Sequence, residues 1–314
     1  MTSETTTRPI GIGIVGMGKI ARDQHVPAIR ADPDFELKAY ASPGSTLDGH
    51  DRFLEMGAML AARPDVEAVA LCTPPTVRFD LAKQALAAGR HVFLEKPPGA
   101  TVGEVAALAE AAQRAGRTLF ASWHSRQAPA VDAARDWLTG KRLTRATIVW
   151  KEDVRKWHPG QAWVWSPGAL GVFDPGINAL SILTKLLPSR AIVRAAQLHF
   201  PSNRQTPIAA ELDLVTDDGA PIRAEFDWRQ TGPQTWDIEL ETDAGRAVLS
   251  LGGSRLEVDG KLVHEGSEHE YPGLYRVFAR LVREGRSDVD AEPLRVVADA
   301  FLLGARDQVE AFDE

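Results

Sequence analysis

The chain of 314 residues contains one cysteine, Cys72, so no internal disulfide can form, which fits a reducing compartment. It has no block of basic residues, and its net charge of −7 disfavours a nucleic-acid partner. No stretch approaches the roughly 18 apolar residues of a membrane span. The opening MTSETTTRP lacks the apolar centre of a signal peptide and reads as a short disordered tail. No internal repeat or low-complexity linker interrupts the chain. His25, His50, His199, His264 and His269 make no ligand spacing with cysteine or carboxylates, so no metal site is expected. On these absences, a cytoplasmic protein without a membrane partner is expected. Being 44% hydrophobic and 25% charged, it can build sizeable cores, and its length suggests two domains.

Residues 10–123 alternate short apolar runs with helical patterns. IGIGIV (Ile10–Val15) precedes a helix over Lys19–Arg30, and FELKAYA (Phe35–Ala41) precedes the loop ASPGSTLDG. A helix over Leu54–Ala62, a strand over Glu67–Cys72, a helix over Phe79–Ala88 and the strand His91–Leu94 follow. Thr101-Val-Gly-Glu104 is a capping box for a helix ending near Gly116, and Thr118–Ser122 is the next strand. Such alternation implies βαβ units on a parallel sheet with right-handed crossovers.

Beyond about Ala128 the pattern changes. A helix (Ala130–Leu138) leads to ATIVWKEDV (Ala146–Val154), a Trp- and Gly-rich stretch, and a helix over Ile177–Leu187. Between Ala191 and Val263 strand-like segments recur, and TWDIELE and AELDLV alternate apolar with polar residues, the mark of an open antiparallel sheet with one wetter face. Helices over Tyr275–Glu284 and Pro293–Phe312 are expected to close it. The fold class is therefore α/β, with a dinucleotide-binding domain over 1–125 and a substrate-binding and oligomerisation domain over 126–314 whose large open sheet is mostly antiparallel.

Gly16-Met17-Gly18-Lys19-Ile20-Ala21 is a G-x-G-x-x-A fingerprint between a strand and a helix. Gly16 makes the tight turn, Gly18 lets the backbone approach a pyrophosphate, Lys19 and Ile20 open the helix beside it, and Ala21 permits close helix–sheet packing. The second strand ends in Ala41-Ser42-Pro43, without the acid that reads a ribose 2′-hydroxyl and without an adjacent Arg for a 2′-phosphate. Ser42 can bond either group, so use of both NAD and NADP is expected.

His91–Leu94 runs into Glu95-Lys96-Pro97-Pro98-Gly99. Proline fixes φ and lacks an N–H, so neither sheet nor helix continues. A turn accounts for Pro-Pro-Gly but not for the charged pair before it, and on spacing alone Lys96 is a solvated lysine paired with Glu95. Together with Thr73-Pro74-Pro75 and Ala88-Gly89-Arg90-His91-Val92, the segment resembles the Gfo/Idh/MocA oxidoreductase family, in order and spacing along the whole chain. The resemblance implies a Rossmann domain joined to an α/β domain, Lys96 entering the active site from the loop after a Rossmann strand, and a cis Lys96–Pro97 peptide. It also implies that Thr73, Pro74, Glu95 and Lys96 lie against the cofactor, with Glu95 supporting the loop. Arg78, where the family often has His, carries no assigned role.

KEDVRKWHPGQAWVW (Lys151–Trp165) and GVFDPGINALSI (Gly171–Ile182) resemble the L-arabinose/D-galactose 1-dehydrogenase branch. Many members carry D-x-x-x-H, whereas this chain has Asp174-Pro-Gly-Ile-Asn178. The implied reaction is oxidation of an aldose at its anomeric carbon to the lactone, with Asp174 or Lys96 as proton acceptor and Asn178 holding a hydroxyl. Glu152, Trp157, His158 and His124 are the expected sugar contacts, with Asp153, Trp163 and Trp165 nearby. Cys72, at the end of an apolar strand, is expected in the core. A sibling activity on inositol or a dihydrodiol, or a dinucleotide sensor without catalysis, are the alternatives. Pairing of open sheet faces in the family points to a homodimer.

Overall fold

The computed structural model describes residues 8–44, 46–267 and 269–313; the expected tail, up to Thr7, lies outside the described residues. The chain divides into two compact units. One comprises residues up to Ser122 with Tyr271–Ala291, and the other Trp123–Glu270 with the residues from Glu292 onward.

Among the described residues, the first unit holds six parallel strands: β1 (Ile10–Val15), β2 (Phe35–Ala41), β3 (Asp51–Phe53), β4 (Ala68–Leu71), β5 (His91–Leu94) and β6 (Leu119–Ala121). Their order is β3-β2-β1-β4-β5-β6, the doubly wound arrangement in which the order reverses between β1 and β4. β1 is buried at every position, as a strand covered on both faces must be. The helix after it opens as a π-turn (Ala21–His25) and continues as α1 (Val26–Ala31). Helices α2 (Met56–Ala62), α3 (Pro75–Ala87) and α4 (Val102–Ala115) follow. α3 begins four residues before the expected Phe79, because Pro75 is well suited to a first helical turn, where no N–H partner is lost. At α4 Thr101 caps the helix, its Oγ1 accepting the Glu104 N–H at 3.1 Å, while the Glu104 side chain reaches one residue past the cap to the Ala100 N–H at 2.8 Å, a variant of the expected capping box.

One face of this sheet packs Val15, Val69, Leu71 and Leu94 against Met59, Leu86 and Leu108. The other packs Ile12, Ile14, Phe93 and Phe120 against Tyr271, Leu274, Tyr275 and Phe278. The second set comes from the helix Glu270–Glu284, whose Tyr275 ring lies 5.1 Å from Phe93 and whose Phe278 lies 5.9 Å from Phe35. Residues 271–291 therefore belong to the first unit and interrupt the span 126–314 read from the sequence as the second domain. Aromatic burial decides this. Each such side chain contributes about 1.5–3 kcal/mol on leaving water, and this helix removes several at once.

The second unit is a nine-stranded sheet among the described residues. Its strands are β7 (Leu143–Lys151), β8 (Ala191–Pro201), β9 (Ala209–Thr216), β10 (Pro221–Asp227), β11 (Thr235–Thr242), β12 (Gly245–Ser250), β13 (Arg255–Val258), β14 (Lys261–Glu265) and β15 (Ala305–Val309), ordered β14-β13-β12-β11-β7-β10-β9-β8-β15. The neighbours pair antiparallel except β7 with β10 and β8 with β15. Its helices are α5 (Val131–Leu138), α6 (Val154–Trp157), α7 (Phe173–Leu186) and α9 (Glu292–Leu303), while Glu270–Glu284 is α8. The helix expected over Pro293–Phe312 stops at Leu303, and the chain after Gly304 pairs with β8 instead. α7 starts at Phe173, four residues earlier than expected, since Pro175 is tolerated in a first turn. This places Asp174 and Asn178 one turn apart on a helix. No helix among the described residues is long and apolar enough to cross a membrane.

Candidate active site

In the first unit, Gly16 takes φ +90°, and a Cβ there would stand 3.0–3.1 Å from Thr73 Cγ2 and the Cys72 backbone. Only glycine fits the turn. Beside Gly18 a Cβ would meet nothing within 4 Å, so the backbone is open to a ligand. Ala21 is fully buried and lets the helix approach the sheet. A cavity of about 300 Å³ runs along the C-terminal ends of β1, β2 and β4, lined in part by Gly16, Ala41, Pro43, Glu55 and Thr73. The Thr73 hydroxyl is buried without a partner. A tight glycine turn, an open backbone and an unspent hydroxyl at the switch point fit a dinucleotide, which Gly16, Gly18 and Thr73 would hold.

Other expected cofactor contacts stand differently. Lys19 is exposed and paired with Asp23, Ile20 is 38% exposed, and Pro74 is exposed ahead of α3. Ser42 is buried, with Ala41 and Pro43 lining the cavity on either side of it. No arginine adjoins Ser42 in sequence, yet Arg52 on β3 donates to the Ser42 and Pro43 carbonyls across the β2–β3 pairing.

The Lys96 loop is fixed by buried groups. The Lys96–Pro97 peptide is cis. Glu95, expected to touch the cofactor, is 4% exposed. Its Oε1 accepts from His25 Nε2 at 2.9 Å and Tyr271 Oη at 2.8 Å, and its Oε2 accepts the Lys96 N–H at 2.8 Å. Both carboxylate oxygens are thus engaged by protein groups, as suits a residue that supports the loop. His25 also bonds Tyr275 Oη through Nδ1 at 2.7 Å. Burial alone would push the His25 imidazole down, but Cys72 and the Glu95 carboxylate outweigh it and raise the group. Arg78 donates to the carbonyls of Thr73, Glu95 and Pro97. Cys72 is partly exposed at the edge of the aromatic core.

In the second unit the polar side chains gather around the start of α7. Asp174 is buried, and its Oδ2 lies 3.2 Å from His158 Nε2. The other ring nitrogen faces Gln161 Oε1 at 3.3 Å, and that oxygen also accepts from Trp163 Nε1 at 3.1 Å. Glu152, just past β7, is buried and accepts the indole N–H groups of Trp228 at 3.4 Å and Trp236 at 3.0 Å. Burial raises its carboxyl above the usual range and the Asp174 charge adds to this, while the two indoles and His158 pull the other way. Trp157, 38% exposed, lies 5.7 Å from Trp236. Trp165 is buried and packed on Trp228 at 5.4 Å. Asp153 caps α6 and pairs with Arg155 at 2.9 Å. His124 bonds Glu270 at 2.6 Å. Among the described residues no cluster of three or more His, Cys, Asp or Glu could hold a metal.

Sequence reasoning missed His25, Arg52, Trp228 and Trp236. Period two in TWDIELET sets Trp236 with Ile238 and Leu240 on the covered face, and the four-residue step from Ala21 to His25 sets both on one helix face. Those signals give burial without naming the partner.

Comparison with known proteins adds three findings. The Gfo/Idh/MocA family, described as an oxidoreductase family with an NAD-binding Rossmann fold, matches residues 10–122. Galactose 1-dehydrogenase of Pseudomonas fluorescens is 49% identical over 305 residues, 97% of this chain and 99% of that protein. The crystal structure of a D-galactose-1-dehydrogenase from Rhizobium etli superimposes with a TM-score of 0.94 at 54% identity, over 98% of this chain and 99% of that one. A 3-ketoreductase from Actinomadura kijaniata, crystallised with NADP, shares the fold at a TM-score of 0.81 and 20% identity, over 97% of this chain and all of the other.

Proposed function

Because the chain belongs to the Gfo/Idh/MocA family of NAD-binding oxidoreductases, we propose that it oxidises D-galactose or L-arabinose at the anomeric carbon to the lactone. The observation that carries this is the likeness to galactose 1-dehydrogenase over almost the full length of both chains. The two sugars share ring stereochemistry, so discrimination rests on the hydroxymethyl group, a packing difference worth about 1–3 kcal/mol.

A bound NAD or NADP supplies the hydride acceptor. Asp174 takes the proton of the anomeric hydroxyl as the C–H bond breaks. An ordinary carboxylate, with a pKa of about 4, is a poor base for a resting alcohol. As hydride departs, however, the oxygen becomes strongly acidic, and a carboxylate within hydrogen-bond reach suffices. His158 holds the carboxylate through Oδ2. Asn178, one turn along α7, has both donor and acceptor for the same or the neighbouring hydroxyl. Lys96 orients the sugar. Trp157, the most exposed indole of the group at 38%, suits the apolar C–H face. We include use of both dinucleotides, supported by Glu55 and Arg52 around the Ala41–Pro43 strand end, and a homodimer, supported by the family resemblance.

The test is dinucleotide reduction across a panel of aldoses and polyols, with Asp174→Asn and Lys96→Ala beside the wild type. Galactose or arabinose should lead the panel, and Asp174→Asn should lose about 100-fold or more in kcat, the scale of a general base. Absence of turnover despite cofactor binding overturns the proposal, and near-normal turnover of Asp174→Asn removes Asp174 from its role.

A further inference from the structure

The proposal concerns how Lys96 is aimed, and rests on the reading of Lys96 as a group that touches the sugar. Three backbone groups of residues 95–97 are held by buried side chains, two by Arg78 and one by Glu95. The Glu95 and Pro97 carbonyls flank Lys96, and both accept from the Arg78 guanidinium, which also ties in the Thr73 carbonyl beside the cofactor cavity. The Lys96 N–H itself donates to Glu95 Oε2 at 2.8 Å. Glu95 Oε1 is fixed in turn by His25 Nε2 and Tyr271 Oη, and His25 Nδ1 by Tyr275 Oη at 2.7 Å.

A strand end needs none of this. Arg78 is 3% exposed and His25 fully buried, and buried ionic groups are often no more stabilising than apolar residues of similar volume. Both devices, from different helices, converge on the same three residues. What they add is immobility of the main chain from which a flexible four-carbon side chain extends. A side chain that orients a reacting group must be held to within about 0.5 Å, and its own stem cannot do that. We propose that Arg78 and the His25–Glu95 pair are positioning residues for Lys96, Arg78 clamping the main chain on either side and Glu95 clamping the Lys96 N–H.

A lysine at position 78 keeps the charge but not the planar fork that reaches several carbonyls. Glu95→Gln keeps one acceptor and gives up the charge. Each variant is made alone and in a Lys96→Ala background, with kcat on the best aldose, dinucleotide affinity by fluorescence titration and a thermal melt. In the wild-type background, Arg78→Lys and Glu95→Gln should lower kcat by about 10- to 100-fold, the cost of sub-ångström misplacement. Dinucleotide affinity should stay within about threefold. In the Lys96→Ala background the same changes should cost less than about twofold further, because groups acting through one residue are not additive. Should Arg78→Lys or Glu95→Gln fail to fold, Tyr271→Phe removes one bond to Glu95 Oε1 and should give the same pattern at about 3- to 10-fold. An undiminished kcat, or losses that multiply fully on top of Lys96→Ala, overturns the positioning role. If Lys96→Ala itself keeps normal turnover, the reading of Lys96 fails and the proposal with it, an outcome distinct from the other two.

Discussion

Replacing Gly18 by alanine separates the cofactor site from the fold. Gly18 lies outside the left-handed backbone region, and an added Cβ would meet no protein atom within 4 Å. Native contacts therefore set no penalty, and a glycine-to-alanine change at a compatible backbone stabilises by about 0.4–1 kcal/mol through the unfolded chain. The cofactor should respond oppositely. If the pyrophosphate lies over this open backbone, the methyl displaces it and weakens a charge-assisted bond worth about 1.5–3 kcal/mol. That corresponds to roughly 10- to 150-fold in Kd. Differential scanning fluorimetry without ligand should show an unchanged or slightly higher Tm, while fluorescence titration with the reduced dinucleotide should show the loss. Gly16→Ala is the contrast: at φ +90°, with neighbours at 3.0–3.1 Å, it should lower Tm as well as affinity. A Gly18→Ala protein that binds dinucleotide within threefold of wild type would refute the placement of the pyrophosphate.

The remaining expectations concern charge. The Glu152 carboxyl is raised in the folded state, so the folded protein binds this proton more tightly than the unfolded chain. Its contribution then falls as pH rises from the unfolded value through the folded one, and is an unfavourable charge above both. The Tm difference between Glu152→Gln and wild type should accordingly move in favour of the glutamine variant between pH 4.5 and pH 7.5, and movement the other way rejects the assignment. Steady-state kcat/KM with NAD and NADP should differ by less than about a hundredfold, or about 2.7 kcal/mol. Arg52→Ala should raise the KM for NADP more than that for NAD, and equal effects would remove Arg52 from phosphate recognition.

The first unit was largely legible because its signals are local. Period and turn residues mark five of the six strands, the short edge strand Asp51–Phe53 being the exception, while the glycine fingerprint marks the β1 turn and Thr101 and Glu104 announce the start of α4. What escaped is long in sequence and short in space. Nothing around Tyr271 says that its hydroxyl meets Glu95, or that Tyr275 meets His25, since amphipathicity shows which face is buried and not against what. The strand Ala305–Val309 was folded into a helical pattern because helix propensity stays favourable past Gly304, and pairing with β8 overrides it. Arg52 reached Ser42 only through the register of β3 on β2.

The same limit bears on the acid–base group. A D-x-x-x-H pattern sets an imidazole one turn from the carboxylate, where a ring nitrogen can remain open to substrate. Here Asn178 takes that place, and the imidazole reaches Asp174 from the loop after α6, as His158. Both of its nitrogens face acceptors, Asp174 Oδ2 and Gln161 Oε1, and Trp163 fixes the second. A ring engaged at both nitrogens is fixed in orientation. The helix thus carries no histidine at this position, yet an imidazole still lies 3.2 Å from the carboxylate. On the proposed reaction, Asp174 takes the sugar proton, and Asn178, which cannot titrate, holds a hydroxyl without competing for it.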